Sequence, residues 1–538
     1  MKLRFIFSLL VGAALSASAQ GYQDGVDNYN ANRPDIAKVI LENTINDPST
    51  DKAVAYYYLG QIAFDSKDVA GAKSYFDKGA QANATYPYNF IGQGMVALAQ
   101  GDKKGAETIF DTQLKANKKN DEVMAAIARA YWKVDPVKYE KDIEKQLAKA
   151  MKETKNQSPA VAMLRGDMLA SENPGDAAGQ YELAIMQDEE KGNVNREAYV
   201  KYAHVYDRHN RPLVIERLEK LNELEPNSGL AQRELAEQYY ENQQFGRAWK
   251  QYERYIQNPN HFQRDEQRYS GMLYSAKEYQ QSIDWANKVL AKDPTAYQMY
   301  RMLMLNYEAL EQDSMAVEEG KKLFAYPNAE VVPNDYLVMG NLLMDLKKYD
   351  EALPYIEKYV EITPDQPKNL TTLSTAYRNA GQEQKAIETM LKYLDSGEAS
   401  ATDYYTMAQT YWQKARKLLP TDPQRKADCD EGLKYINMAI ERAPGNIALQ
   451  NMKIYILVTA NGDVPNAEVV QNCKELFKLI GDDPANMTKY QGYLAASYYY
   501  CAAYYTTQKE NAEARTYWEK YLQLRPNDQA AKKVLESL

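Results

Sequence analysis

Histidine, the side chain that most often builds catalytic and metal sites, is scarce in this chain. Among the 538 residues, only His204, His209 and His261 are histidines. His204 and His209 are five residues apart, which places them on different sides of a helix rather than on one ligand face. The HExxH, GxSxG, Walker and paired CxxC motifs do not occur either. We therefore predict no enzyme activity, no catalytic residue, no cofactor and no metal site.

Two short segments are similar to ligand-binding motifs but fit a structural role better. Residues 92–97, GQGMVA, match the GxGxxA pattern of dinucleotide sites. That pattern needs a preceding strand, whereas this segment lies within a predicted helix. Residues 428–432, DCDEG, bring three carboxylates together. We interpret them as a solvated helix start, where the helix dipole favours acidic residues, rather than as a weak cation site.

The cysteines are too few to predict a disulfide framework. They are Cys429, Cys473 and Cys501, an odd number without CxxC spacing. This pattern favours buried thiols that act as small apolar residues. A disulfide between Cys429 and Cys473 is the alternative that the sequence leaves open.

The first residues have the pattern of a secretory leader. Lys2 and Arg4 precede an apolar run over residues 5–15, and residues 17–19, Ala-Ser-Ala, form a small-x-small cleavage site. The run is shorter than the roughly 20 residues of a spanning helix, which disfavours a retained membrane anchor. We predict a signal peptide over residues 1–19 and export to the periplasm of a Gram-negative bacterium. The mature chain would then span no membrane, and a partner could associate it with the outer membrane.

The charge balance is acidic. The chain carries 65 Lys and Arg against 74 Asp and Glu, a formal net charge of −9. Nucleic-acid binding requires a basic patch, and anionic lipid attracts polybasic segments. The acidic balance therefore argues against both nucleic acid and an anionic membrane surface as partners.

A period of 34 residues runs through the chain. Gly60 and Gly94 are 34 residues apart, and so are Ala72 and Ala106. Within each unit, apolar positions recur every three or four residues in two halves, which predicts two helices. A polar, turn-forming stretch separates the halves, and a late proline ends the second helix. The small residues let the backbones of the two helices approach closely.

This pattern resembles the tetratricopeptide repeat family. The resemblance implies an all-α, right-handed superhelical solenoid of about fourteen helix-turn-helix units over residues 20–538. We expect an irregularity at 413–431 and a capping helix near 528–538, because terminal repeats need a polar outer face. The small packing positions of the family fall at Gly60, Ala72, Gly94, Ala106, Ala236, Ala248, Gly340, Ala352, Ala386, Ala502 and Ala514.

The resemblance also implies a binding surface on the concave side of the first helices. The partner would be a protein or peptide of the cell envelope, such as an outer-membrane or secretion complex, held by a non-enzymatic scaffold. The alternative is a glycan, since the chain has 45 Tyr and five Trp and flat rings stack on sugar faces. The concave positions of the family fall at Tyr57, Phe64, Arg129, Trp132, Arg233, Glu237, Tyr240, Asn341, Thr375, Arg378, Tyr405, Gln409, Trp412 and Tyr499.

Residues 497–505, SYYYCAAYY, contain five tyrosines. On a helix the five rings point to several sides, because successive residues are 100° apart. A first helix of the repeat is buried on several faces, and tyrosine fills such layers while its hydroxyl reaches a polar partner. We therefore interpret the segment as packing, with Tyr499 as its one candidate for the concave surface.

Overall fold

The computed structural model describes residues 21–262 and 264–538, and the regular elements of these residues are thirty α-helices. None of these helices is both long and apolar enough to cross a membrane. The predicted signal peptide, residues 1–19, lies outside the described residues. The all-α class and the solenoid of helical hairpins are confirmed, and the helices fall into two compact units. The described part of unit 1 covers residues 21–262 and 264–311, and unit 2 covers residues 312–538.

Unit 1 contains seventeen helices in its described part, and consecutive helices pack as hairpins. They are α1 (Tyr22–Asn30), α2 (Pro34–Thr44), α3 (Lys52–Asp65), α4 (Val69–Ala82), α5 (Pro87–Ala99), α6 (Lys103–Ala116), α7 (Asp121–Val134), α8 (Glu140–Glu153), α9 (Pro159–Leu169), α10 (Pro174–Glu189), α11 (Arg196–Tyr206), α12 (Arg211–Leu224), α13 (Gly229–Glu241), α14 (Phe245–Gln257), α15 (Asp265–Ser275), α16 (Tyr279–Lys292) and α17 (Gln298–Ala309).

Unit 2 contains thirteen helices. They are α18 (Asp313–Ala325), α19 (Pro333–Asp345), α20 (Tyr349–Ile362), α21 (Asn369–Asn379), α22 (Glu383–Leu394), α23 (Ala401–Arg416), α24 (Pro423–Arg442), α25 (Ile447–Ala460), α26 (Ala467–Ile480), α27 (Pro484–Lys489), α28 (Gln491–Gln508), α29 (Asn511–Leu524) and α30 (Gln529–Ser537). The described residues of the two units form fourteen helical hairpins, in agreement with the about fourteen units expected from the sequence. The predicted capping helix is α30, which packs on α29.

The 34-residue period also appears in the backbone of the turns between the paired helices. Lys67 has φ 65° and Gly101 has φ 87°, both in the left-handed region, and these two residues are 34 positions apart. The helix after each turn begins with an aspartate cap. Asp68 accepts a hydrogen bond from the Gly71 amide at 2.8 Å, and Asp102 caps the next hairpin in the same way.

Small residues set the close approach of the two helices in each hairpin. A Cβ atom on Gly60 would lie 2.4 Å from the Phe76 ring, and one on Gly340 would lie 2.5 Å from Ile356. A larger side chain would therefore displace the second helix or its aromatic anchor. The alanines at the family's small positions are fully buried: Ala72, Ala106, Ala236, Ala248, Ala352, Ala386, Ala502 and Ala514.

Two elements depart from the regular hairpin. α23 and α24 have 16 and 20 residues and enclose the segment 417–422. The short helix α27 precedes α28. Asp428, the first residue of the DCDEG segment, is buried in α24 and accepts a hydrogen bond from Lys414 at 2.9 Å. Because α24 begins at Pro423, the segment is not the solvated helix start that the sequence suggested. This acidic segment is therefore part of the α23–α24 interface.

Candidate binding sites

Unit 1 encloses a cavity of about 520 Å³ between its first helices. Side chains from α1, α3, α5, α7 and α9 line it, together with the segment 188–197 that leads into α11. The inner faces of successive hairpins therefore converge on one space. This volume lies in the range of about 300–1,000 Å³ that is usual for small-ligand sites.

The cavity is partly open to solvent. On one side of unit 1, α1 contacts α11 and α13, five and six hairpins further along the chain. Asp27 of α1 pairs with Arg196 of α11 at 2.7 Å. Arg33, at the start of α2, pairs with Asp265 of α15 at 2.6 Å, and the two side chains are only 14% and 10% exposed. The first hairpin therefore contacts distant hairpins of the same unit through two ion pairs.

The closing contact shifts the ionisation of Asp27. Burial raises the pKa of Asp27 to about 6, although Arg196 opposes the shift; Asp24 and Glu225 add to it. The carboxylate is therefore only marginally stable as an anion near neutral pH. Closure of unit 1 is expected to depend on pH in this range.

Lys133 of α7 ties the first hairpins together at the base of the cavity. Its Nζ donates to the Tyr29 hydroxyl at 3.2 Å, to Gln61 Oε1 at 2.8 Å and to Asp65 Oδ1 at 2.7 Å. Burial lowers the pKa of Lys133, and Asp65 opposes the shift. All three donor positions of this ammonium group are thus used within the protein.

A second charge network surrounds Asp167 on α9. Arg129 Nη1 donates to Asp167 Oδ2 at 2.5 Å, and Lys201 Nζ donates to Oδ1 at 2.8 Å. Lys201 also pairs with Glu197 at 2.7 Å. Burial alone would raise the pKa of Asp167, but Arg129 and Lys201 lower it to about 2. The two cations and two anions balance, so this four-residue network carries no net charge.

Tyrosine rings form the opposite wall. The centroids of Tyr57 and Tyr58 are 5.2 Å apart, those of Tyr57 and Tyr88 are 5.7 Å apart, and those of Tyr86 and Tyr88 are 5.0 Å apart. Tyr29 continues the row at 5.4 Å from Tyr58. Edge-to-face and tilted contacts of this kind stabilise aromatic clusters. The rings support one another and present a continuous surface to the cavity.

Three hydroxyl groups of this tyrosine wall have no hydrogen-bond partner among the described residues. They belong to Tyr57, Tyr58 and Tyr86, all half-buried and all lining the cavity. Burial raises the pKa of Tyr57 to about 12 and that of Tyr58 well above its ordinary value. The phenols are therefore neutral donors that open onto the cavity.

The concave residues expected in unit 1 fall into three groups. Tyr57 and Arg129 line the cavity. Phe64 and Trp132 are half-buried and pack against the hydrophobic core of the first hairpins. The remaining three lie in α13, beyond the cavity lining, and are Arg233, Glu237 and Tyr240.

The α13 residues are held within a polar network. Arg233 donates to Asp265 at 3.2 Å and pairs with Glu234. Burial would raise the pKa of Glu234, but Arg233 and His204 lower it to about 2. Glu237 pairs with Arg268, whose guanidinium lies 4.3 Å from the Tyr240 ring centroid. This network fixes the α13–α15 contact.

In unit 2, Asn341 and Thr375 are exposed on α19 and α21. Arg378 of α21 is half-buried, and its Nη2 donates to Thr410 Oγ1 of α23 at 3.2 Å. Its Nε is buried without a hydrogen-bond partner. Within the described part of the chain, Arg378 forms no ion pair.

Tyr405, Gln409 and Trp412 follow one another along α23 and are half-buried. Trp412 Nε1 donates to Thr459 Oγ1 at 2.9 Å, and its ring stacks on Tyr455 with centroids 5.8 Å apart. Trp412 is therefore covered by α25 rather than open as a stacking platform.

The tyrosine-rich segment 497–505 packs against its own hairpin and the preceding one. Tyr498 lies 4.7 Å from Phe477 and Tyr505 stacks on Tyr517 at 5.7 Å. Tyr499 contacts Trp518 at 5.4 Å and is 43% exposed. The segment fills the interfaces of α28 with α26 and α29.

The cysteines are buried as free thiols. Cys473 and Cys501 share one hydrophobic cluster, whereas Cys429 belongs to another. A hydrogen bond to Cys473, together with burial, raises the pKa of Cys501 far above its ordinary value. Cys501, rather than Cys429, is therefore the neighbour of Cys473.

Sequence reasoning missed several cavity residues. Three of them lie at concave positions of their repeats, so the family resemblance that predicted Tyr57 and Arg129 could also have predicted these residues. They are Gln61, Tyr88 and Lys133. Tyr58 and Tyr86 lie outside those positions, and only the closure of unit 1 brings them to the cavity. In residues 21–262 and 264–538, no group of three His, Cys, Asp or Glu side chains could hold a metal ion.

Residues 336–366 match the family model of the tetratricopeptide repeat. The match covers most of the α19–α20 hairpin. No curated protein sequence is significantly similar to this chain.

Several solved structures are similar to parts or most of the chain. The C-terminal part of a tetratricopeptide repeat-containing protein from Cytophaga hutchinsonii is 18% identical, with 50% of this chain and 99% of that chain covered and a TM-score of 0.41. YrrB, a tetratricopeptide repeat protein with an unusual peptide-binding site, is 16% identical, with coverages of 44% and 98% and a TM-score of 0.29. A human IFIT1 dimer with PPP-AAAA is 16% identical, with coverages of 93% and 95% and a TM-score of 0.33. These low identities and TM-scores identify no ligand for this chain.

Proposed function

We propose that this chain is a non-enzymatic interaction scaffold of the bacterial cell envelope. It binds a partner protein or peptide with the inner faces of α19, α21 and α23 in unit 2. The match of residues 336–366 to the tetratricopeptide repeat supports the protein-binding role, because stacked helical hairpins of this kind present extended concave binding surfaces.

The unpaired guanidinium of Arg378 carries the proposal. Arg129 and Arg233, its counterparts in unit 1, are both neutralised by carboxylates. Arg378 has only Thr410 as a partner, and its Nε is buried without one. A hydrogen bond to a charged group is worth about 1.5–3 kcal/mol, so a carboxylate of the partner that accepts from the Nη groups of Arg378 would stabilise this site. Asn341 and Thr375, at the family's other concave positions of α19 and α21, are exposed.

The proposed location is the periplasm, and the leader pattern of residues 1–19 supports it. The partner would belong to an outer-membrane or secretion complex, which would also associate the chain with the outer membrane. Nucleic acid is not a proposed partner, because the net charge of −9 is unfavourable for phosphate.

Site-directed crosslinking in intact cells tests the proposal. A photo-reactive amino acid at Thr375 would capture the partner, and the same group at Lys392, exposed on the second helix α22, is the matched control. Mass spectrometry would identify proteins crosslinked from Thr375 alone. Arg378→Glu should lower the yield of that product at least about tenfold, as expected for a hot-spot residue, whereas Lys392→Glu should leave it unchanged. Identical products from both positions would contradict the proposal.

A further inference from the structure

The cavity of unit 1 is too small for a helix or a folded partner. An α-helix is about 10–12 Å wide with its side chains, so ten residues occupy roughly 1,000 Å³ or more. The cavity has about 520 Å³, and the Arg33–Asp265 and Asp27–Arg196 pairs close the unit around it. Because the cavity is partly open to solvent, this volume limits the part of a ligand that lies inside it, which is the size of a small molecule or a very short piece of chain.

The charges around the cavity do not favour an ion. Arg129 and Lys201 are balanced by Asp167 and Glu197, and Lys133 is bound to Asp65 and Gln61. An anion would meet no free cation in this inner part. A cation would have to compete with the bonds that the four lining carboxylates already make. Asp121 accepts from Ser158, Glu122 from Tyr88 and Asp188 from Asn195, and Glu197 pairs with Lys201.

The uncharged groups favour a ligand rich in hydroxyls. The phenols of Tyr57, Tyr58 and Tyr86 are neutral and have no partner among the described residues. Arg129 uses one of its five N–H donors on Asp167 in the part of the chain that the structure describes. An apolar ligand would leave these buried donors unpaired, at a cost of about 1–3 kcal/mol each. A ligand with several oxygens and a flat apolar face would satisfy the donors and also pack on the rings.

We infer that the cavity of unit 1 binds a neutral mono- or disaccharide. One sugar face packs on the wall formed by Tyr57, Tyr58, Tyr86 and Tyr88. The sugar hydroxyls accept hydrogen bonds from the three free phenols and from Arg129. This site is separate from the protein-binding face of unit 2, so the chain has two binding functions in two units.

Exposed polar residues on the cavity rim give the sugar a route inward. Glu122, Lys191 and Asn193 are exposed and line the same cavity. Glu122 accepts a hydrogen bond from the Tyr88 hydroxyl at 2.9 Å and so orients this ring at the rim. The free phenols lie further inside, where the ligand would be held.

Calorimetric titration of the full chain tests the inference. The probes are glucose, N-acetylglucosamine, maltose and cellobiose, with an acetylated and amidated Gly-Ser-Asn-Gly peptide as the neutral comparison. We expect saturable binding of at least one sugar. The double variant Tyr57→Phe and Tyr58→Phe keeps both rings and removes only the hydroxyls, so it should weaken binding at least about tenfold. Tyr500→Phe, which removes a phenol of unit 2, should bind like the unchanged protein.

Three results would overturn the inference: no sugar of the panel binds up to a concentration of about 10 mM, the peptide binds in their place, or the double variant binds sugar as well as the unchanged protein. Circular dichroism of each variant verifies that the helices remain folded. The Thr375 crosslinking experiment is independent of these outcomes, because Thr375 and Arg378 lie in the other unit. A negative sugar titration would therefore not contradict the proposed scaffold function. A negative crosslinking result would likewise not contradict the sugar site.

Discussion

Unit 1 and unit 2 are built from the same helical hairpin, but they use the inner faces of their first helices differently. In unit 1, the pair Arg33–Asp265 joins residues 232 positions apart and encloses a cavity. In unit 2, the bond from Trp412 to Thr459 spans 47 residues, and Arg378 has no carboxylate partner in the described residues. The hairpin sets local packing, whereas a few long-range ion pairs determine whether an inner face becomes an enclosed site.

The largest effect on this difference between the units is expected from a charge reversal that releases the first hairpin of unit 1. Arg33→Glu places a carboxylate beside Asp265, in a contact where both partners are nearly buried. Breaking such a pair costs about 3–5 kcal/mol, and the value should lie near the lower end because Asp265 keeps bonds to Arg233 and Tyr255. Hydrogen–deuterium exchange should show faster exchange throughout α1 and α2.

Lys103→Glu is the matched control for this variant. Lys103 pairs with Asp142 on the outside of unit 1, where the side chains are 45% and 25% exposed. Exposed pairs contribute about 0–1 kcal/mol, so exchange in α1 should stay unchanged. Equal exchange in α1 for both variants would show that the first hairpin is held by something other than the Arg33–Asp265 pair.

A second test adds a long-range link to unit 2, in the form of a disulfide bond. Cys473 and Cys501 are buried neighbours on α26 and α28. We expect oxidised glutathione to convert their two thiols into one disulfide while two molecules of reduced glutathione are released. Closing a loop of about 28 residues should raise the free energy of unfolding by about 3 kcal/mol. The reaction should be slow, because the pKa of Cys501 is raised and little thiolate forms.

Peptide mapping under non-reducing conditions would identify the linked pair, and urea unfolding would give the stability. Cys429→Ala should still form the link, because Cys429 lies in a different hydrophobic cluster. Three titratable thiols after prolonged oxidation in urea-free buffer would contradict the assigned neighbourhood.

The hairpins could be predicted from sequence, but the cavity could not. Gly60 and Gly94 are 34 residues apart, and each contacts a phenylalanine of its own hairpin, Phe76 and Phe110 respectively. Because every hairpin repeats such local contacts, they are visible as a period in the sequence. The Arg33–Asp265 pair produces no periodic pattern in the sequence, because its two residues occupy unrelated positions in their repeats. Closure depends on small rotations summed over several hairpins, and these rotations cannot be read from the identity of single residues.

A subtler test uses pH to change the closing contact at Asp27. The folded pKa of about 6 is raised from 3.8, so the closed state binds a proton more strongly than the open state. Stability from this group therefore increases as pH falls through 6 towards 4 and is lost as pH rises. The full shift corresponds to about 3 kcal/mol at most, and we expect about 2 kcal/mol in practice.

Asp27→Asn should remove this pH dependence, because asparagine does not titrate in this range. Protection of α1 from hydrogen exchange, corrected for intrinsic rates, should increase from pH 7.5 to pH 5 in the unchanged protein. The increase should be much smaller in the variant, in which Asp24 still titrates with a pKa that burial raises. Arg196, Asp24 and Glu225 face Asp27 in both proteins, so the variant isolates the carboxyl group itself. An identical pH response in both proteins would contradict the raised pKa.

The smallest expected effect concerns Trp412, the aromatic residue of unit 2 that α25 covers. Trp412→Phe keeps the stacking on Tyr455 but removes the hydrogen bond to Thr459 Oγ1. Thr459 still donates to the Tyr455 carbonyl oxygen, so the loss should be about 1 kcal/mol. Thr459→Val should cost a similar amount, and the double variant should cost less than the sum, because both changes remove the same bond. Strict additivity in urea unfolding would instead indicate that the Trp412 ring is free of α25 and available to a ligand.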